Sequence, residues 1–100
     1  MSAPSWPPEV ARAWVYHELL RRLGFRPGDL YVGVVRGDFA GAATRVVRVE
    51  LRAQGREFGV HVAPWTAPRA AFEAAWTAFV AALRSGATTD ADLQALWDAH

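Results

Sequence analysis

The histidines are the side chains in this sequence best suited to bind a metal or to transfer protons near neutral pH. They are His17, His61 and His100, widely separated along the 100-residue chain. No HExxH motif or other paired ligand spacing accompanies them, and the chain has no cysteine. We therefore predict no metal site and no cofactor, and interpret His61 as a solvated residue on the outer face of a strand.

Hydrolytic chemistry would need a positioned nucleophile, or a pair of carboxylates across a cleft. The only serines are Ser2, Ser5 and Ser85, which lie in the tail or at predicted helix ends, and no GxSxG motif occurs. Glu50 alternates with arginines along one predicted strand face, a pattern typical of surface ion pairs. The sequence thus predicts a protein that is not an enzyme. A small-ligand site between the GDFAG segment and the loop at 64–68 is an alternative hypothesis.

The basic residues number 11, all of them arginine, against 10 acidic residues, which leaves a net charge of +1. Arginine binds phosphate and carboxylate groups with a planar, bidentate geometry that lysine lacks. Alanine, glycine and proline are abundant as well, and codon bias explains all four types together. A net charge this close to zero gives no argument for binding nucleic acid or an anionic membrane.

The composition is 52% hydrophobic and 21% charged, which is typical of a globular protein. At this length we expect a single domain over residues 1–100, with residues 1–5 forming a loose N-terminal tail. No apolar run approaches the ~20 residues of a membrane span, and the N-terminus lacks the pattern of a secretory signal. With the absence of cysteine, these features predict a cytoplasmic protein and no membrane partner.

The segment from Pro68 to Arg84 carries the strongest helical pattern. Its large apolar residues recur at offsets of 0, 4, 7 and 11 and form one stripe, namely Phe72, Trp76, Phe79 and Leu83. The opposite side is nearly flat and consists mostly of alanine. We expect this helix to anchor the hydrophobic core.

Two strands flank the Gln54-Gly55 turn, with predicted spans of Thr44 to Ala53 and Arg56 to Val62. With this turn, apolar residues face each other on one side of the ladder, pairing Leu51 with Phe58, Val49 with Val60 and Val47 with Val62. On the other side Arg52 faces Glu57 and Arg48 faces His61. A slip of one residue would scramble both faces, so the pattern predicts one register.

A further strand is predicted from Leu30 to Arg36, followed by a flexible connection from Gly37 to Ala43. This strand extends the same sheet if Val34 aligns with Val47 and Val32 with Val49. The outer face is then polar at its centre and apolar at its Val35–Val46 end.

Helices are predicted at both ends of the chain. The first follows Ser5 and runs to about Leu23, where Gly24 and Pro27 stop it. Its apolar face is predicted to comprise Ala13, Tyr16, Leu19, Leu20 and Leu23. Thr89 is expected to cap a short last helix that docks through Leu93, Leu96 and Trp97. The fold class is α+β: a three-stranded antiparallel β-meander with helices packed on one face, in the order α-β-β-β-α-α.

The element order over roughly residues 8 to 84 is similar to that of double-stranded RNA-binding domains. The resemblance implies a basic cluster at the start of the second helix. The sequence there is PRAAFEAA, in which Arg69 is the only cation and Glu73 opposes it. This departure argues against the family, and none is assigned.

Two functional hypotheses follow. The first is a small non-enzymatic module that binds a protein partner or a second copy of itself. Its candidate contact residues are Trp14, Trp65, Ala70, Ala74, Ala78 and Ala81. The alternative is a nucleic-acid binder that uses arginine and aromatic residues on an open sheet face. Its candidate contacts are Tyr31, Arg45, Arg48, Arg52, Arg56 and His61.

Overall fold

A computed structural model of the chain describes residues 7–39, 41–53, 55–62, 69–86 and 88–98. The helices are α1 (Pro8–Arg21), α2 (Arg69–Ser85) and α3 (Asp90–Asp98), and the strands are β1 (Leu30–Phe39), β2 (Ala42–Ala53) and β3 (Arg56–Val62). A short 3₁₀ turn (Pro27–Asp29) leads into β1. The order α-β-β-β-α-α and the mixed α+β class confirm the predicted fold.

The sheet has the order β1-β2-β3 and is antiparallel throughout. Leu51 pairs with Phe58 and Val47 pairs with Val62, as the alternation of apolar and polar residues predicted. On the other side of β2, Val34 pairs with Val47. The predicted register is therefore confirmed for both hairpins.

The prediction of a flexible connection over residues 37–43 is wrong. The ladder continues through Gly37 opposite Thr44 and Asp38 opposite Ala43, and ends with Phe39 opposite Ala42. Gly41 has a φ of 83°, which allows the tight hairpin turn that most residues would strain to form. Glycine and alanine have low strand propensity, but the ladder to β2 outweighs it.

The core lies between the apolar face of the sheet and the stripe of α2. All four residues of that stripe are buried, and they share one hydrophobic cluster with Val49, Val60 and the other inward residues of the sheet. The rings of Phe72 and Trp97 stack with centroids 5.0 Å apart, and those of Trp76 and Phe79 lie 5.2 Å apart. The prediction that α2 anchors the core is confirmed.

The buried stripe of α1 differs from the predicted face. Ala11, Val15 and Leu19 are fully buried, whereas Ala13, Tyr16 and Leu20 lie at the margin and are half-buried. Relative to the prediction, α1 is rotated about its axis so that Ala11, Val15 and Leu19 face the core. This rotation also turns Trp14 toward the aromatic residues of α2.

The predicted stop of α1 is confirmed. Gly24 has a φ of 72°, and the N–H of Phe25 donates to the carbonyl of Leu19 at 3.1 Å. This is the pattern of a glycine-terminated helix, in which a hydrophobic residue folds back on the last turn.

Candidate interaction surfaces

The last helix lies along the open edge of β3 and bonds to its backbone. The Gln94 side chain accepts a hydrogen bond from the His61 N–H at 2.9 Å and donates one to the His61 carbonyl at 2.8 Å. The Asp90 carboxylate accepts the N–H of Gly59 at 3.1 Å. These contacts protect an edge that would otherwise present unpaired donors and acceptors.

The sequence at the start of α3 determines which of its side chains face the edge of β3. The hydroxyl of Thr89 accepts the N–H of Asp92 at 3.2 Å, which confirms the predicted N-cap. From this start, Asp90 and Gln94 fall four residues apart on one side of the helix. Leu93 and Trp97 fall on the adjacent side and are buried.

The role of Gln94 and Asp90 at the sheet edge was missed at the sequence level. The signal for it was the hairpin register itself, because that register directs the backbone groups of Gly59 and His61 away from β2. A polar pair at i, i+4 on a neighbouring helix would then have been a candidate to meet them.

Whether the alanine side of α2 is exposed depends on where α3 docks. We call Ala70, Ala74, Ala78 and Ala81 the alanine face, and all four are exposed. Thr77 and Glu73 lie beside this face and are exposed as well. The last helix contacts the aromatic stripe instead, with Trp97 against Phe72 and Phe79.

Of the candidate tryptophans, Trp14 packs inward. Its ring meets Phe72 at 5.7 Å and Trp76 at 5.5 Å in edge-on arrangements, and its side chain is half-buried. These contacts favour a packing role for Trp14. Trp65 lies outside the described residues.

The candidate nucleic-acid residues do not share one face. Tyr31, Arg48, Arg52 and His61 are on the outer side of the sheet, where Tyr31 is 51% exposed. Placing Arg45 and Arg56 with them was wrong. With a side-chain period of two, both residues have the parity of the core side, shared with Val47 and Phe58 respectively.

Arg56 instead connects β3 to the end of α2. Its guanidinium donates to the carbonyl of Gly86 at 3.1 Å and to that of Thr88. It also lies over the Phe58 ring, 4.7 Å from the centroid. The positive charge of Arg56 is therefore engaged by contacts within the fold.

Arg45 is likewise engaged by another element. Its Nη2 lies 2.9 Å from the Glu9 carboxylate, which joins β2 to the first turn of α1. The bond to the backbone N–H of Glu9 itself and the ion pair with Arg45 hold the pKa of this carboxyl below its ordinary value of 4.5.

The two outer arginines are each paired with an acid. Arg48 lies 3.2 Å from Glu50, and Arg52 lies 3.7 Å from Glu57. With Tyr31 and Asp90 they line an open groove of about 380 Å³. Because the charges of these pairs cancel, the groove offers no excess of positive charge to a phosphate backbone.

His61 closes one end of the outer face. Its imidazole lies against Gly37, where an added Cβ would come within 2.9 Å of the ring. Val46, on the same face, is fully buried, and Val35 is half-buried. The apolar end that the sequence predicted is therefore not a bare surface.

No family model, curated protein or solved structure matches this chain. Within the described ranges, no His, Cys, Asp and Glu residues cluster in a way that could hold a metal ion. None of the helices described is long and apolar enough to cross a membrane.

Proposed function

We propose that this protein is a small, non-enzymatic interaction module that binds a helix of a protein partner on the alanine face of α2. The observation that carries the proposal is that this face stays exposed while the chain's own last helix is bonded to the β3 edge. An exposed apolar side of a helix that none of the described helices covers is a surface suited to an external helix.

Alanine suits such a contact for two physical reasons. Its side chain has no rotamers to lose, so docking carries no side-chain entropy cost on this side. Its small size also lets another helix approach toward the short end of the usual interaxial range of about 8–10 Å. The partner helix that fits is one with a stripe of larger apolar residues, such as leucine, to fill the space above the alanines.

The proposal is tested by site-specific photo-crosslinking in cells that express the full chain. A photoreactive residue at Ala78 should capture a defined partner, whereas one at Ala95, which is exposed on α3, should not. The purified partner should then bind the chain, and Ala78→Glu should weaken binding at least about tenfold, or 1.4 kcal/mol.

The matched control is Ala95→Glu, which places the same charge on an exposed position of another helix. It should leave the dissociation constant unchanged. Equal binding by the Ala78→Glu variant, or equal capture from both positions, would overturn the proposal.

The nucleic-acid alternative has less support, because Arg45 and Arg56 are engaged elsewhere and the outer arginines are paired with acids. An NMR titration with short RNA decides it. Salt-dependent shifts confined to Tyr31, Arg48 and His61 would favour the alternative over the interaction module.

A further inference from the structure

The two edges of the sheet differ in how far other elements hydrogen-bond to their outward backbone groups. On β3, the outward backbone groups of Gly59 and His61 are bonded by Asp90 and Gln94. On β1, Arg12 donates to the outward carbonyl of Val32 at 3.5 Å. This is the only hydrogen bond to the outer edge of β1 within the described ranges.

The register identifies which groups of β1 point outward. In a two-residue hairpin, the residues that flank the turn form a hydrogen-bonded pair, here Phe39 with Ala42. Every second residue back along β1 bonds to β2 as well. The alternate residues Val34, Arg36 and Asp38 therefore direct their N–H and C=O groups away from the sheet.

This outer stretch presents the outward backbone groups of Val34, Arg36 and Asp38. Arg36 and Asp38 are exposed, and Val34 is half-buried. An edge with unpaired donors and acceptors is a template for a further strand. Within the part of the chain that the structure describes, no side chain bonds to the backbone of the Val34–Asp38 stretch in the way that Asp90 and Gln94 bond to β3.

The charges on this edge complement themselves. Arg36 and Asp38 lie two residues apart on the same side of β1. Neither takes part in an ion pair within the described ranges. In an antiparallel pairing whose two-fold axis passes at Gly37, Arg36 of each copy stands opposite Asp38 of the other.

Other registers fit less well. A shift that centres the axis on Arg36 places the two Arg36 side chains directly opposite each other, where like charges repel. A shift toward the start of β1 meets the Arg12 side chain at Val32. The charge pattern and the position of Arg12 together select one register.

We infer that β1 pairs antiparallel with β1 of a second copy through the Arg36–Asp38 edge, joining the two three-stranded sheets into one continuous sheet. This inference concerns a different surface from the alanine face and does not rest on it. A dimer formed in this way would carry two alanine faces.

The test is sedimentation equilibrium of the full chain over a wide concentration range. The wild-type protein should reach a dimer, and Arg36→Asp or Asp38→Arg alone should weaken dimerisation at least about tenfold by creating like-charge pairs. The double variant Arg36→Asp/Asp38→Arg should restore it, because the swapped charges again meet their opposites across the axis.

The double variant also controls for folding, since it carries both substitutions. Ala78→Glu, on α2, should leave the dimer unchanged. A protein that stays monomeric at every concentration, a double variant that does not recover, or a dimer abolished by Ala78→Glu would each overturn the inference. The last outcome would assign self-association to the alanine face instead.

Discussion

The side-chain amide of Gln94 bonds to both backbone groups of His61, accepting its N–H at 2.9 Å and donating to its carbonyl at 2.8 Å. An amide side chain thus occupies the place of a neighbouring strand. The two residues are 33 positions apart, so this contact ties the last helix to the sheet. It also explains why α3 does not cover the alanine face of α2.

Gln94→Ala should destabilise the fold by about 1–3 kcal/mol, because it leaves an N–H and a carbonyl of a half-buried edge without their partner. Urea denaturation measures the change in the free energy of unfolding. Amide hydrogen exchange should accelerate at His61 more than at Gly59, because the Gly59 N–H is bonded to Asp90 and keeps its acceptor. The exposed neighbour Ala95→Ser is the control and should change stability by less than about 0.5 kcal/mol. Unchanged exchange at His61 would show that the bond contributes nothing to the edge.

Arg56 and Arg52 should respond differently to truncation, although both belong to the β2–β3 hairpin. Arg56→Ala removes donors to Gly86 and Thr88 and the contact with the Phe58 ring, and should cost about 1–3 kcal/mol. Arg52→Ala removes an exposed ion pair with Glu57 at 3.7 Å and should cost less than about 1 kcal/mol. Thermal or urea unfolding of the two variants compares them directly. Equal costs would argue that Arg56 is solvated like Arg52.

Trp76 should tolerate phenylalanine far better than alanine. Its Nε1 is buried and has no hydrogen-bond acceptor among the described residues. Trp76→Ala should cost about 3–5 kcal/mol through lost burial and a cavity against Phe79 and Trp14. Trp76→Phe loses volume but also removes a buried, unsatisfied donor, so its cost should be clearly smaller. Chemical denaturation of both variants checks the order, and a Phe variant as unstable as the Ala variant would contradict it.

The Glu9 carboxyl should make stability fall in acid. Its pKa is lowered in the folded state, so the unfolded chain binds the proton more tightly. The contribution is therefore fully present above the ordinary value of 4.5 and is lost as the pH falls through the folded pKa. A carboxyl-detected NMR titration should give a pKa below 4.5 for Glu9.

In the variant Arg45→Gln, the Glu9 pKa should rise part of the way toward the ordinary value. The rise is incomplete because the first cause of the shift, the bond to the Glu9 backbone N–H, remains. Arg52→Gln, which removes the cation paired with Glu57 instead, is the control and should leave the Glu9 pKa unchanged. A Glu9 pKa unaffected by the substitution would show that the ion pair with Arg45 does not persist in solution.

Several parts of the fold follow from the sequence because local patterns specify them. Alternation with a period of two placed Val47, Val49 and Leu51 on one face, and any slipped register would have exposed them. The stripe from Phe72 to Leu83, the glycine stop at Gly24 and the cap at Thr89 are equally local signals. Each depends on residues within a few positions of one another.

The same parity argument applied to Arg45 and Arg56 would have removed them from the outer face at the sequence level. The extension of β1 through Gly37 and of β2 through Ala43 could not be predicted from a local pattern. Composition there favours a loop, and only pairing with the opposite strand stabilises the extended form.

By itself, the sequence determined the order of the elements, the register of the sheet and the identity of the core helix, because these follow from periodicity along the chain. The tertiary structure alone decided where α3 docks, and with it which surfaces stay exposed. Leu93 and Trp97 specify an apolar side for that helix but not its partner. That choice depended on the outward N–H and C=O groups of His61, which become available to Gln94 only when the sheet has formed.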